Sequence, residues 1–117
     1  MIFWVIDTLI NHKTKNQNMN LKIFLIIIGF INPQERESFN HYSTEINQLY
    51  ENAGAKVTGR YPIVQTLVGE EKPNFILVVE FPDQEALQKL FTSEEYKKLV
   101  PYREKAFSKL NVFISKE

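Results

Sequence analysis

Apolar and polar positions follow three rhythms along this chain. "LKIFLIIIGFI" (21–31) is apolar at both parities, so a strand there must be covered on both faces. "FILVVEF" (75–81) is a second such run, interrupted only by Glu80. Between them the rhythm changes to threes and fours. Phe39, Tyr42, Ile46, Leu49, Tyr50 and Ala53 build one apolar stripe inside "NPQERESFNHYSTEINQLYENAG", which predicts an amphipathic helix. Asn32 is the expected N-cap, Pro33 the first helical residue, Glu35 the capping-box acid and Gly54 the stop. "KVTGRYPIVQTLVG" (56–69) reads as a strand carrying Gly59 and Pro62, which places it at a sheet edge or gives it a bulge. "EEKPN" is the turn that follows.

After the second oily strand, Asp83 is expected to cap "DQEALQKLF", with Ala86, Leu87, Leu90 and Phe91 facing inward. Thr92 or Ser93 caps a second segment, "EEYKKLVPYREKAF", where Thr92 and Glu95 match a capping box. Pro101 is expected to bend or break that segment. "NVFIS" (111–115) closes the chain as a short strand. The resulting order, β-α-β-β-α-β, is the ferredoxin-like α+β pattern with a four-stranded antiparallel sheet. That pattern puts the first and third strands in the centre, in agreement with their uniform oiliness. Its helices cover one sheet face only. The simplest cover for the other is a second copy of the sheet, so a homodimer through the sheet face is expected. Residues 1–20, "IFWVIDTLI" and an Asn-rich polar stretch, read as a loosely attached arm, and 21–117 as the domain.

Composition narrows the function. With 117 residues, one domain is expected. There is no cysteine, so neither disulfides nor thiolate chemistry enter, and a cytoplasmic setting fits. Basic and acidic residues balance at 14 each with no basic run, which argues against nucleic acid as a partner. No apolar stretch reaches the roughly 20 residues of a membrane span. "MNLKIFLIIIGFINP" loosely resembles a signal peptide, but it lacks a small-residue cleavage site, and the strand reading is preferred.

"GRYPIV", "VVEFPDQEA", "SEEY" and the arginine of "PYREKAF" resemble the signature segments of the bacterial domain-of-unknown-function 1330 family, over roughly residues 21–116. That family resembles the dimeric α/β-barrel superfamily, which includes cofactor-free monooxygenases of antibiotic biosynthesis, muconolactone isomerase and haem-dependent chlorite dismutases. The resemblance implies functional positions at Gly59, Arg60 and Tyr61; at Glu80, Phe81 and Pro82; at Ser93, Glu95 and Tyr96; and at Arg103. Two positions depart from the family's pattern. Gln65 stands where a second basic residue is frequent, and Phe91 where Tyr or Trp is usual.

The candidate catalytic residues are therefore Glu80 and Arg103, and the candidate ligand-binding residues are Arg60, Tyr61, Tyr96 and Tyr42. Each has a plainer alternative. Glu80 is either a strand-end ion pair or a pocket carboxylate, expected on the helix side near Arg60 or Arg103. Arg103 and Tyr96 either line a cleft, where the arginine would suit a ligand carboxylate, or sit in water. Tyr42 falls on the apolar stripe, which favours the core. His41 shares the wet helix face with Glu45, Gln48 and Asn52, and His12 lies in the arm. No metal-ligand spacing or Gly-rich phosphate loop is present, so no cofactor is expected. Two functions remain open. One is a cofactor-independent small-molecule enzyme of the monooxygenase or isomerase kind. The other is a non-catalytic ligand-binding or stress-related domain.

Overall fold

The computed structural model describes residues 21–117; the arm assigned to residues 1–20 lies outside the described residues. The order of elements is β1 (Ile23–Ile31), α1 (Arg36–Asn52), β2 (Lys56–Pro62), β3 (Phe75–Phe81), α2 (Gln84–Phe91), α3 (Glu94–Ala106) and β4 (Phe107–Lys116). The four strands form one antiparallel sheet in the order β2-β3-β1-β4. The two uniformly oily strands are the central pair, and the proline-bearing strand is an edge. This is the ferredoxin-like arrangement expected from the element pattern.

Strand register separates the two sheet faces. Ile23, Leu25 and Ile27 lie opposite Phe81, Val79 and Leu77. All six point at the helices, and five of them are in the buried core with Tyr42, Ile46, Tyr50, Leu87, Leu90, Tyr96, Leu99 and Phe107. The alternate positions Phe24, Ile26 and Ile28 pair with Glu80, Val78 and Ile76 and form the outer face. Phe113 extends that face on β4, opposite Ile26. It is 53% exposed.

Local chemistry explains most helix ends. Asp83 caps α2, accepting from the Ala86 N–H at 2.8 Å. Ser93 caps α3, accepting from the Tyr96 N–H at 3.1 Å, while the Thr92 hydroxyl is occupied donating to the Gln88 carbonyl. Helix α1 begins at Arg36, later than Asn32 and Pro33 imply. The Asn32 side chain instead accepts from the Gln34 N–H at 3.1 Å, closing an Asx turn before the helix. Pro101 does not break α3, which runs through it to Ala106. The Arg103 guanidinium reaches back across the proline to the Tyr96 hydroxyl at 2.6 Å, and Leu99 and Ala106 are buried on either side of it. These contacts offset the one helical hydrogen bond that proline forfeits.

Strand β2 is an edge strand with an irregular register between Val57 and Gly59, so the proline and glycine signals were both honoured. It ends at Pro62, well short of residue 69. Residues 63–74 form a loop fastened by Asn74, whose N–H donates to the Gly29 carbonyl at 2.7 Å and whose side chain accepts from the Ile31 N–H at 2.7 Å. Strand β4 is longer than "NVFIS", because the chain pairs with β1 from Phe107 onward.

Gly29 lies beneath the ring of Phe75, so closely that a Cβ there would overlap the ring. The ring caps a strand position that any side chain would block. Gly29→Val is therefore expected to cost about 1–3 kcal/mol through overpacking, read as a lower melting temperature. Pairing it with Phe75→Leu should recover part of the loss. An unchanged melting temperature in the single variant would mean that the ring has free room to move.

Candidate functional site

A cavity of about 280 Å³ lies between α1 and the helix side of the sheet. Leu25, Ile27, Leu77, Phe75 and Phe107 line it from the strands, and Ile46, Phe39 and Phe91 from the helices. The walls interlock through aromatic edges: Phe39 and Tyr42 meet Phe107 at 5.7 and 5.9 Å, and Phe91 meets Tyr96 at 4.7 Å. Phe91 is thus a wall residue that brings no polar atom to the cavity. The volume is near the lower end for small-ligand pockets.

The polar groups are few. Tyr42, Tyr50 and Tyr96 line the interior and are all buried. The α1 stripe delivers Tyr42 and Tyr50, spaced two helical turns apart, and the capped start of α3 delivers Tyr96. Burial pushes the Tyr42 hydroxyl far above the usual tyrosine range, with the Tyr96 and Tyr50 hydroxyls adding to the shift and Arg103 opposing it. Tyr50 is raised in the same direction, first by burial and then by Tyr96. At neutral pH both are neutral hydroxyls, able to donate. Arg103 does not line the cavity. It stands behind Tyr96, donating to that hydroxyl oxygen and leaving the tyrosine proton free for another acceptor.

The remaining candidates separate. Arg60 lies opposite Leu77, on the helix side, and lines the exposed rim of the cavity. Tyr61 borders the cavity at the sheet edge, but it lies opposite Ile76 on the outer face, with its ring folded back over Gly59 and 55% exposed. Glu80 is not near either arginine. It lies on the outer face, opposite Phe24 and Lys56, and its carboxylate is 3.4 Å from Lys22. The expectation that it faces the helix side fails because Val79 and Phe81 take the core positions on either side of it. An ion pair half open to water contributes at most about 1 kcal/mol. His41 is exposed and its ring lies 4.1 Å from that of Tyr102, across α1 and α3. Among the described residues no cluster of His, Asp or Glu could hold a metal ion.

Sequence reading passed over Tyr50, Ser43 and Asn47, which also line the cavity. Tyr50 was assigned to the apolar stripe, where its ring does belong. Ser43 and Asn47 carried a readable signal, since each follows a stripe residue and the two lie four apart on the same flank of α1.

Residues 25–116 match the family model described as Domain of unknown function (DUF1330). The chain belongs to the DUF1330 family. Among solved structures, this DUF1330 protein is similar to a protein of unknown function from Rhodopseudomonas palustris, at 16% identity and TM-score 0.76, covering 92% of this chain and 91% of that one. It is also similar to a dimeric protein of unknown function with a ferredoxin-like fold from Bacteroides fragilis, at 11% identity and TM-score 0.57, covering 82% and 96%. A third similar structure is a proposed antibiotic biosynthesis monooxygenase from Caulobacter crescentus, at 10% identity and TM-score 0.59, covering 91% and 98%. At these identities the likeness is one of fold. Among curated proteins none matches the chain. No helix among the described residues is long and apolar enough to cross a membrane.

Proposed function

We propose that this DUF1330 protein is a homodimer, joined sheet face to sheet face, that takes a small and mostly apolar molecule into the cavity of each subunit. The observation that carries the pocket is the cavity itself, an apolar chamber with three buried tyrosines inside and an arginine at its rim. Dimerisation is supported by the apolar outer face and by the dimeric Bacteroides fragilis relative.

Two readings of the pocket differ in whether anything reacts there. The pairing of Arg103 with Tyr96, beside Tyr42, supports cofactor-independent chemistry of the monooxygenase or isomerase kind. Such an array would stabilise negative charge developing on a substrate oxygen. The fold likeness to the Caulobacter crescentus protein points the same way. The second reading, a non-catalytic binding domain, draws support from the lining itself. Among the described residues no carboxylate or histidine lines the cavity, so a reaction carried by these groups would need its proton removed by the substrate or solvent.

Both readings share the pocket, and native mass spectrometry of the purified protein tests it. A retained adduct is expected on the wild type and not on Ser43→Phe, a substitution that fills the cavity from the flank of α1. An adduct that persists in Ser43→Phe would place the ligand elsewhere.

A further inference from the structure

Among the described residues Arg60 is the only charged one that lines the cavity. It stands on the edge strand, opposite Leu77, so its stem runs along the helix side of the sheet. Its neighbours in the lining are Pro62, Tyr61, Leu77 and the Phe75 ring, none of which carries charge. Among the described residues Arg60 has no ion-pair partner within salt-bridge distance. The other groups facing the chamber are tyrosine hydroxyls, the Ser43 hydroxyl and the Asn47 amide, with Tyr42 and Tyr50 held neutral. The site therefore presents an apolar interior, hydroxyl donors at depth and one unopposed cation at its mouth.

Resting on the pocket reading above, we propose that the ligand is an amphiphilic carboxylic acid, its apolar body among Ile46, Leu77 and Phe91 and its carboxylate on the Arg60 guanidinium. A planar guanidinium meets a carboxylate with two parallel N–H···O bonds, which a neutral headgroup cannot match. An acid entering head-out keeps its charge near water and buries only its body. A carboxylate buried at depth would have to shed its hydration among aromatic rings.

The probe pair is 2-naphthoate and 2-naphthalenemethanol, which share a ring system and differ in charge. Isothermal titration of the full chain is expected to show naphthoate binding up to about fivefold more tightly, the ratio that a well-oriented ion pair at an exposed site supplies. In Arg60→Gln the acid should fall to the affinity of the alcohol, while the alcohol is unchanged. The preference in the wild type should also shrink as salt is raised, since the guanidinium is exposed. Equal binding of acid and alcohol by the wild type would overturn the acid assignment and leave the pocket reading intact. A preference that survives Arg60→Gln would overturn the role of Arg60. Binding of neither probe to the wild type, when Ser43→Phe also shows no change in native mass, would overturn the pocket reading as well.

Discussion

Ile26→Asp is expected to convert the protein from dimer to folded monomer. Ile26 is on the central strand β1, flanked by Val78 on β3 and Phe113 on β4. All three side chains point away from the helices. Phe24, Ile28 and Ile76 continue the patch along the same face. In a single subunit these side chains are only partly covered, and Phe113 is more than half exposed. In a symmetric dimer every substitution is present twice, and an aspartate here would bury two unpaired carboxylates against apolar strands. A loss of about 2 kcal/mol per copy amounts to a weakening of roughly a thousandfold in dimer affinity. Sedimentation equilibrium should then show the wild type as a dimer and the variant as a monomer, with the far-ultraviolet spectrum retained because the core lies on the opposite face. A monomeric wild type, at concentrations of tens of micromolar where specific dimers persist, would contradict the interface. Glu80 fits the same picture. It sits with Lys22 and Lys56 at one end of the outer face, where the apolar patch gives way to charge, as interface rims commonly do.

Alkaline unfolding should be steep and should flatten when two tyrosines are removed. Tyr42 and Tyr50 have folded pKa values raised above the unfolded value near 10, burial being the main cause in each. A raised value means that the folded state holds the proton more tightly than the unfolded one. The stability these groups contribute is therefore fully present below pH about 10 and is lost as the pH climbs above it. Each proton released on unfolding adds a slope of about 1.4 kcal/mol per pH unit, so the pair adds about 2.7. Against a total of about 5–15 kcal/mol, two units of pH remove a large share of the stability. The Tyr42→Phe, Tyr50→Phe double variant should lose this part of the pH dependence, whatever its stability at neutral pH. Urea midpoints measured between neutral pH and pH about 12 report the difference. Parallel curves for the two proteins would mean that both hydroxyls reach water in the native state.

The fold was legible because its signals were redundant. Uniform oiliness in β1 and β3 and the proline in β2 pointed to the same sheet order, and the capping aspartate at 83 marked the start of α2. The misjudged details share one cause, which is that several residues had two local uses. Asn32 can cap a helix or close an Asx turn, and it closes the turn. Pro101 can break a helix, but the contact between Arg103 and Tyr96 spans it. The side of the sheet that Glu80 faces was not readable for a different reason. Both parities of "FILVVEF" are apolar, so alternation cannot say which face is the core. The pairing partner of Glu80 depends on where β2 ends. A strand continued to residue 69 would place Glu80 opposite residue 64, whereas the strand that stops at Pro62, with a longer loop, sets Glu80 opposite Lys56 and Arg60 opposite Leu77.

The candidate site was half legible. Arg60, Tyr42 and Tyr96 line one chamber, and Arg103 is joined to it by its hydrogen bond to the Tyr96 hydroxyl. Tyr42 was ambiguous because one side chain serves the core and the cavity together: its ring packs on Phe107 while its hydroxyl lies beside Tyr96. Apolar spacing records the ring alone. The chamber is an unfilled volume where side chains from the three helices and all four strands fail to meet, and no single segment of sequence carries that information.

The most direct test of the chamber as a ligand site is a crystal structure of the protein grown with 2-naphthoate. The ring system is expected between α1 and the helix side of the sheet, among Ile46, Tyr50 and Leu77, with both carboxylate oxygens on the Arg60 guanidinium. A ring bound instead on the outer sheet face, or in the groove beside His41 and Tyr102 with the chamber empty, would contradict the account.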